Sequence, residues 1–535
     1  MIDSKELRFL AIYILGILLF TYTPYFIGHV KPIPSKEFNE HLVFYDDMNS
    51  YLSYVKQSAN GRWLFQNQFT PEEHSGVFIN LKWLVLGKIS RIFKTSLRTD
   101  FQIERIVGAI TLIFGFYLLS SLFIQNKFVR KVALLVFSLG GGFGWIYILS
   151  LAVQKLFHSD ILTIPFVPRD TSSGLHPFFQ MMLNPHFSIA HGILLLTYSL
   201  YTIGEMKNDV KYYVFSGISC AVLGFVRPFD MLVCFLAVFM FVILLYISKR
   251  ELSLHQTFLR FLPILMGLPV MLYNLYVFKL HPVFKWWNIQ NVFTERPLMI
   301  LLFSMGFVPF LVLNNIGGFA NLREKETKNI FLIGTIAAIS VLAFSTPFLK
   351  FAPQFGTIWM GSLVIFGIMK VEKPLLSALS RKRYIYFLLF AFLLVNSFTS
   401  IWLLKWKCDE VWQGKHHTDS RLITAFDWLE ENSSPSDIVL SSYPTGNKIP
   451  RYSGNKVFCG YGYNTVDFNG KINAVKQFFN LETSDKYRLD LIKKYKIEYL
   501  FHGPSERAIG KYIPEISPFL KQVYQNDIVM IYSVK

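Results

Sequence analysis

Apolar runs long enough to cross a bilayer recur through the first 404 residues, and a backbone in lipid must satisfy its polar groups internally, which here means helices. The runs fall near 9 to 30, 104 to 124, 132 to 154, 186 to 204, 211 to 226, 229 to 247, 261 to 280, 298 to 320, 329 to 348, 355 to 370 and 384 to 404. A polytopic α-helical membrane protein of about eleven transmembrane helices is expected. The 52% hydrophobic and 16% charged composition agrees, and it excludes disordered and fibrous classes. The first run, Phe9 to Val30, lacks a small-residue cleavage site and is expected to be retained as a span.

Loop charge sets the expected orientation. With the N-terminus inside, each inner loop carries at least two basic residues, among them Lys5 and Arg8, Arg130 and Lys131, and Arg381, Lys382 and Arg383. Two short outer loops hold a single one each, Arg227 and Lys350. The net charge, 53 Lys+Arg minus 35 Asp+Glu or +18, then belongs to cytoplasmic loops and requires no nucleic acid. An odd number of spans places the C-terminus outside. Four cysteines are too few for a disulfide framework, and Cys220 and Cys234 fall inside apolar runs.

Two domains are expected: a transmembrane domain over 1–404, with long outer loops at 31–103 and 155–185, and a soluble extracytoplasmic domain over 405–535. In the first loop, DDMNSYLSYVKQ and VFINLKWLVLGKISRIF have helical apolar spacing flanked by Trp and Lys, predicting helices at the membrane interface. From Glu410 onward the chain holds 16 Lys+Arg and 14 Asp+Glu. There SRLITAFDWLEENSS predicts a helix, DIVLSS and KVFCG strands, residues 470–495 two helices, EYLFHG a strand and KQVYQNDIVMIYSV a hairpin, which together read as a small α/β fold.

Adjacent carboxylates, Asp46 and Asp47 in FYDDMNSY, open the first predicted outer helix. An Asp there commonly caps the helix. A partly desolvated carboxylate just past a span end also suits a general base toward a hydroxyl or amine. The acidic pair, the following Tyr51, Gly61, Arg62 and Trp63, and the helix ending GKISRIF resemble the GT-C glycosyltransferases, especially bacterial protein O-mannosyltransferase-like members. AFDWLEENSSPSDIVLSSYPTGNKIPRYSGNKVFCGYGYNT and YLFHGPSER likewise resemble the outer domain of bacterial members of that superfamily.

The resemblance implies a first-loop catalytic Asp, matching Asp46, with Asp47 where relatives carry Glu or a second Asp. It implies a polyprenyl-phosphate-linked sugar donor and inverting transfer, on the outer face of a bacterial plasma membrane, to a protein, lipid or glycan acceptor. Some members use a divalent cation and others none. Asp46, Asp47, Glu72, Glu73 and His74 crowd one loop without a metal-binding spacing, so no metal ligand is assigned. Glu72 and Glu73 are expected in an exposed turn after Pro71.

A departing lipid phosphate needs cationic or hydrogen-bonding groups at headgroup depth. The candidates are His74, Arg105, His176, His186, Arg227, Lys285 and Arg296. Arg227 leads, because RPFD is a short polar break between apolar runs, although pairing with Asp230 would make it structural. His186 and His191 project about 140° apart on a helix, so one cavity receives only one of them, and His186 is nearer the outer end. Trp286 and Trp287 suit a headgroup belt or a sugar platform. No catalytic set is found around Ser441, Ser442, His502 or Cys459, while Arg451 and Tyr452 are placed to reach a phosphate. The alternative from another class is a transporter or flippase of a lipid-linked substrate, which predicts broken, polar helices at mid-bilayer. A non-catalytic scaffold predicts a dispensable Asp46.

Overall fold

The computed structural model describes residues 2–157, 176–248, 253–290, 303–344 and 352–535. In chain order its first helices are α1 (Ser4–Val30), α2 (Tyr45–Ala59), α3 (Leu81–Phe93), α4 (Leu97–Ser121), α5 (Lys127–Ser138), α6 (Gly144–Phe157), α7 (Pro177–Leu183) and α8 (Pro185–Lys207). There follow α9 (Val210–Val226), α10 (Pro228–Ile247), α11 (Leu254–Leu275), α12 (Lys285–Gln290), α13 (Val308–Asn314), α14 (Thr327–Phe344), α15 (Ala352–Arg381) and α16 (Tyr384–Trp412). Among the described residues six helices, α1, α4, α8, α10, α11 with its extension to Leu280, and α16, are long and apolar enough to cross a membrane. They mark an integral membrane protein. The apolar helices α6, α9 and Thr327–Leu342 within α14 are shorter.

Two of the eleven expected spans are not single helices. The run 132 to 154 is divided into α5 and α6 at Gly140–Gly142, where a Cβ on Gly142 would lie 2.3 Å from the carbonyl oxygen of Ser304. The freed amides of Gly141 and Phe143 donate to the carbonyls of Asn396 and Phe303 at 2.7 and 2.8 Å, so the break leaves them paired. The described part of 298 to 320 turns at Gly306, whose φ of +58° favours glycine, before the short α13.

The described chain clusters into two compact units. The first comprises Met1–Phe26, Gln102–Leu272 and Phe293–Asp409. Its helices meet closely at small residues: a Cβ on Gly192 of α8 would stand 2.6 Å from the backbone of Thr111 in α4. Between α9 and α10, Pro228 excludes Arg227 from helical backbone and holds it extended at φ −154°, ψ 96°, which ends one helix and opens the next.

The second unit comprises Ile27–Phe101, Tyr273–Val292 and Glu410–Lys535, so residues 27–101 and the C-terminal residues fold together. Its strands are β1 (Lys36–Phe38), β2 (His417–Asp419), β3 (Ile438–Leu440), β4 (Lys456–Val457), β5 (Ile497–His502), β6 (Leu520–Gln525) and β7 (Met530–Val534). Its remaining helices are α17 (Ser420–Asn432), α18 (Tyr443–Gly446), α19 (Ile449–Tyr452), α20 (Phe468–Phe478), α21 (Asp485–Tyr495) and α22 (Pro504–Ile509).

β1 pairs antiparallel with β2, and the other five strands form one mixed sheet in the order β4-β3-β5-β7-β6. Alternation along the strands supplies a core on each face. Val439, Phe501 and Ile531 pack with Phe426 and Leu429 of α17, while Leu440, Leu500 and Tyr532 pack with Phe478 of α20 and Ile492 of α21. The predicted helices, strands and closing hairpin of this region are all present.

Candidate functional site

The acidic pair sits in the first turn of α2, but neither carboxylate caps it. The N-cap residue is Phe44, in left-handed backbone at φ 51°, ψ 47°, and its side chain makes no capping bond. Asp46 and Asp47 instead accept hydrogen bonds from C-terminal tyrosines, Asp46 Oδ2 from the hydroxyl of Tyr443 and Asp47 Oδ1 from that of Tyr461. Burial, relieved in part by the Tyr461 hydrogen bond, pushes the Asp47 carboxyl up to about 6, and the neighbouring Asp46 charge adds to the rise. The same environment raises the Tyr443 phenol, through burial first and the Asp46 contact second.

The rest of α2 explains why the pair is held there. Nine of its fifteen residues are buried, several of them polar. Asn49 donates to Asn447 and accepts from Arg451 Nη1 at 3.1 Å, and Ser50 accepts from Asn464 at 2.8 Å. Lys56 donates to the Tyr452 carbonyl and pairs with Glu430 at 2.7 Å. Arg451, read from the sequence as a phosphate ligand, therefore binds α2 through Asn49 and also donates to the Asn39 carbonyl at 3.3 Å. On its other side α2 lies against α3, where Tyr51 stacks on Trp83 at 4.7 Å.

The loop after α2 is locked in the same way. Lys471 Nζ, nearly buried, meets Glu72 Oε1 at 2.6 Å, Thr70 Oγ1 at 3.1 Å and the Val466 carbonyl at 2.8 Å. Glu73 pairs with Lys496 at 2.6 Å. The buried Lys471 thus holds the turn at Glu72, while Glu73 and Lys496 are exposed and their pair contributes little. His74 accepts at Nε2 from the Asn67 amide at 2.9 Å, and its Nδ1 lies 2.8 Å from the Glu72 carbonyl oxygen. Burial lowers its imidazole to about 4, so at neutral pH this ring carries no charge to offer a phosphate.

The remaining candidates are distributed as follows. In the first unit Arg105 is buried, donating to Gln102 at 2.6 Å, Thr21 at 2.8 Å and the Met182 carbonyl at 3.2 Å, with its guanidinium over Tyr25. His176 lies 2.7 Å from the Ser304 carbonyl, and His186 stands edge-on to Phe187. Arg227 Nη1 pairs with Asp230 at 2.6 Å and lies 3.2 Å from His191 Nε2, its plane over Phe187. His191 Nδ1 in turn meets Gln180 at 3.0 Å, and Gln180 donates to Thr357 at 2.6 Å. His191 is joined to Arg227, and the Asp230 pairing anticipated from sequence is formed. In the second unit Lys285 is half-buried at the start of α12, and Arg296 lies outside the described residues.

Sequence reasoning missed Tyr443, Tyr461, Asn447 and Asn464. The segments YPTGN and GYGYNT that carry them stood out, but nothing local pairs them with residues some 400 positions earlier. As for a cation, no group of three or more His, Cys, Asp or Glu residues suited to a metal occurs among the described residues. Asp46 and Asp47 alone fall short of such a donor set, and no step is derived through a metal.

No protein-family model matches the sequence, and no curated protein matches it. Among solved structures, the chain is similar to the archaeal oligosaccharyltransferase AglB from Archaeoglobus fulgidus, with a TM-score of 0.57 at 11% identity, over 92% of this chain and 69% of that one. It is also similar to the arabinofuranosyltransferase AftD from Mycobacteria, with a TM-score of 0.52 at 12% identity, over 98% of this chain and 40% of that one. The likeness is one of fold, consistent with the GT-C architecture that the resemblance implied. It is shared by two enzymes named for different sugars and does not single out the O-mannosyltransferases.

Proposed function

We propose that the chain is a membrane-bound glycosyltransferase that moves a sugar from a polyprenyl-phosphate-linked donor to an acceptor on the extracytoplasmic face. The observation that carries this reading is the pair Asp46 and Asp47 at the head of α2, each held by a tyrosine hydroxyl, in a chain with a fold similar to those of an oligosaccharyltransferase and an arabinofuranosyltransferase. The oligosaccharyltransferase of that fold was solved with dolichol-phosphate, a lipid phosphate of the class proposed for the donor.

In the proposed reaction an acceptor hydroxyl or amine attacks the anomeric carbon. The bond from that carbon to the phosphate oxygen breaks, the lipid phosphate leaves with the electron pair, and the acceptor proton passes to a carboxylate of the pair. A single displacement inverts the anomeric centre. The resemblance assigns the base to Asp46, while a carboxyl near 6 at Asp47 lies closer to the working range of a general base. Arg105, Arg227, Lys285 and Arg296 are the cations proposed to meet the departing phosphate.

The test is transfer by the purified protein from polyprenyl-phosphate sugars, comparing the native chain with Asp46→Asn and Asp47→Asn at matched folding. Loss of roughly a hundredfold or more in one variant identifies the base. Full transfer in both removes the carboxylates from the chemistry.

A further inference from the structure

Tyr45 opens α2 and immediately precedes Asp46. Its hydroxyl is hydrogen-bonded to His416 Nδ1, and His416 Nε2 lies 3.1 Å from Glu410 Oε2. A carboxylate only accepts, so in a neutral imidazole the ring proton sits on Nε2, Nδ1 is left as an acceptor, and Tyr45 is the donor. The two rings also stack, with centroids 5.9 Å apart and planes inclined by 20°. His416 is 4% exposed, and its backbone is fixed as well, accepting from the Asn39 amide at 3.0 Å where β1 and β2 end their pairing.

This contact stands at a helix start that carries no side-chain cap. Phe44 enters α2 in left-handed backbone without a side-chain cap, so no capping bond sets the rotation of the first turn. For Asp46 and Asp47 the structure shows one tyrosine hydroxyl each, and a carboxylate held so sparingly keeps its aim only if its backbone does. Burying an imidazole beside a carboxylate is costly unless both are paired, and here the pairing ends on the residue next to the reactive pair.

We propose that Tyr45, held by His416 and Glu410, is a positioning residue that fixes the first turn of α2 and with it the direction in which Asp46 and Asp47 meet the acceptor. The inference rests on the reading of that pair as the general base.

The test uses the intact 535-residue chain in lipid nanodiscs with undecaprenyl-phosphate-linked mannose as the donor probe and release of undecaprenyl phosphate as the readout. Tyr45→Phe and His416→Ala should each lower kcat by roughly tenfold to a hundredfold with the donor KM unchanged. The double variant should be no worse than either single one. His416→Gln, whose amide offers one acceptor and one donor, should recover most of the rate. Full kcat in Tyr45→Phe, additive losses in the double variant, or no recovery in His416→Gln overturns the proposal. Asp46→Asn and Asp47→Asn run alongside, and full transfer in both would defeat the general-base reading instead. Amide hydrogen exchange over residues 46–50 decides the anchoring independently of turnover: it should quicken in Tyr45→Phe and His416→Ala and stay native in His416→Gln, and no change in any of the three overturns the proposal.

Discussion

A buried carboxylate is a cost to the fold around it, and Asp47 shows the sign of that cost. Its carboxyl is raised from 3.8 to about 6, so the folded chain binds the proton more tightly than the unfolded chain does. Below about pH 4 the group is protonated in both states and costs nothing, whereas above about pH 6 ionisation weighs fully against folding. Asp47→Asn retains an oxygen that accepts from Tyr461 and never ionises. It should therefore raise stability at pH 7, by up to about 3 kcal/mol, with the gain fading as the pH falls from 6 to 4. Thermal unfolding of both proteins across pH 4 to 8 measures this. A more stable but inactive Asn variant is the pattern expected of a functional residue.

At the scale of elements, the α2–α3 pair holds the site against its own neighbours. A Cβ on Gly87 of α3 would fall 2.4 Å from the Val55 carbonyl oxygen and 2.4 Å from the Ser58 Cβ of α2, so the two helices meet backbone to side chain at this glycine. Ser58 then donates to the Leu84 carbonyl at 2.7 Å, and Tyr54 and Tyr51 both stack on Trp83. Gly87→Ala should force the helices apart and cost about 1–3 kcal/mol, read as a lower melting temperature together with reduced transfer. At this end of α3 Ile92 and Phe93 are exposed, and the exposed Trp63 ring lies under Lys88 Nζ at 4.7 Å.

At the scale of the whole molecule, residues 27–101 take their structure from chain more than 300 positions later. Asn49, Ser50, Lys56 and Glu72 each bond to residues beyond 409, and Gln68 and Thr70 do the same. A chain ending at Asp409 should lose these partners and leave its buried polar groups unpaired. Limited trypsin digestion checks this: Lys56, shielded by Tyr452 and Glu430 in the full chain, should become a cleavage site in the shortened one, and equal protection in both would contradict it.

Much of this protein was already legible in local pattern. Apolar length predicts α1, α4, α8, α10, α11 and α16, alternation and turn residues predict the order of elements after Ser420, and Pro228 predicts the break at Arg227, because each depends on residues within a few turns of one another. Pattern also marked Asp46 and Asp47 as unusual. It could not show that Gly140–Gly142 and Gly306 interrupt two apolar runs, since close backbone approach from distant helices decides that. Nor could it show that Tyr443 and Tyr461 hold the acidic pair, that His191 joins Arg227, or that His416 is hydrogen-bonded to Tyr45. A hydrogen bond between residues hundreds of positions apart leaves no periodic trace along the chain, and only packing brings its donor to its acceptor.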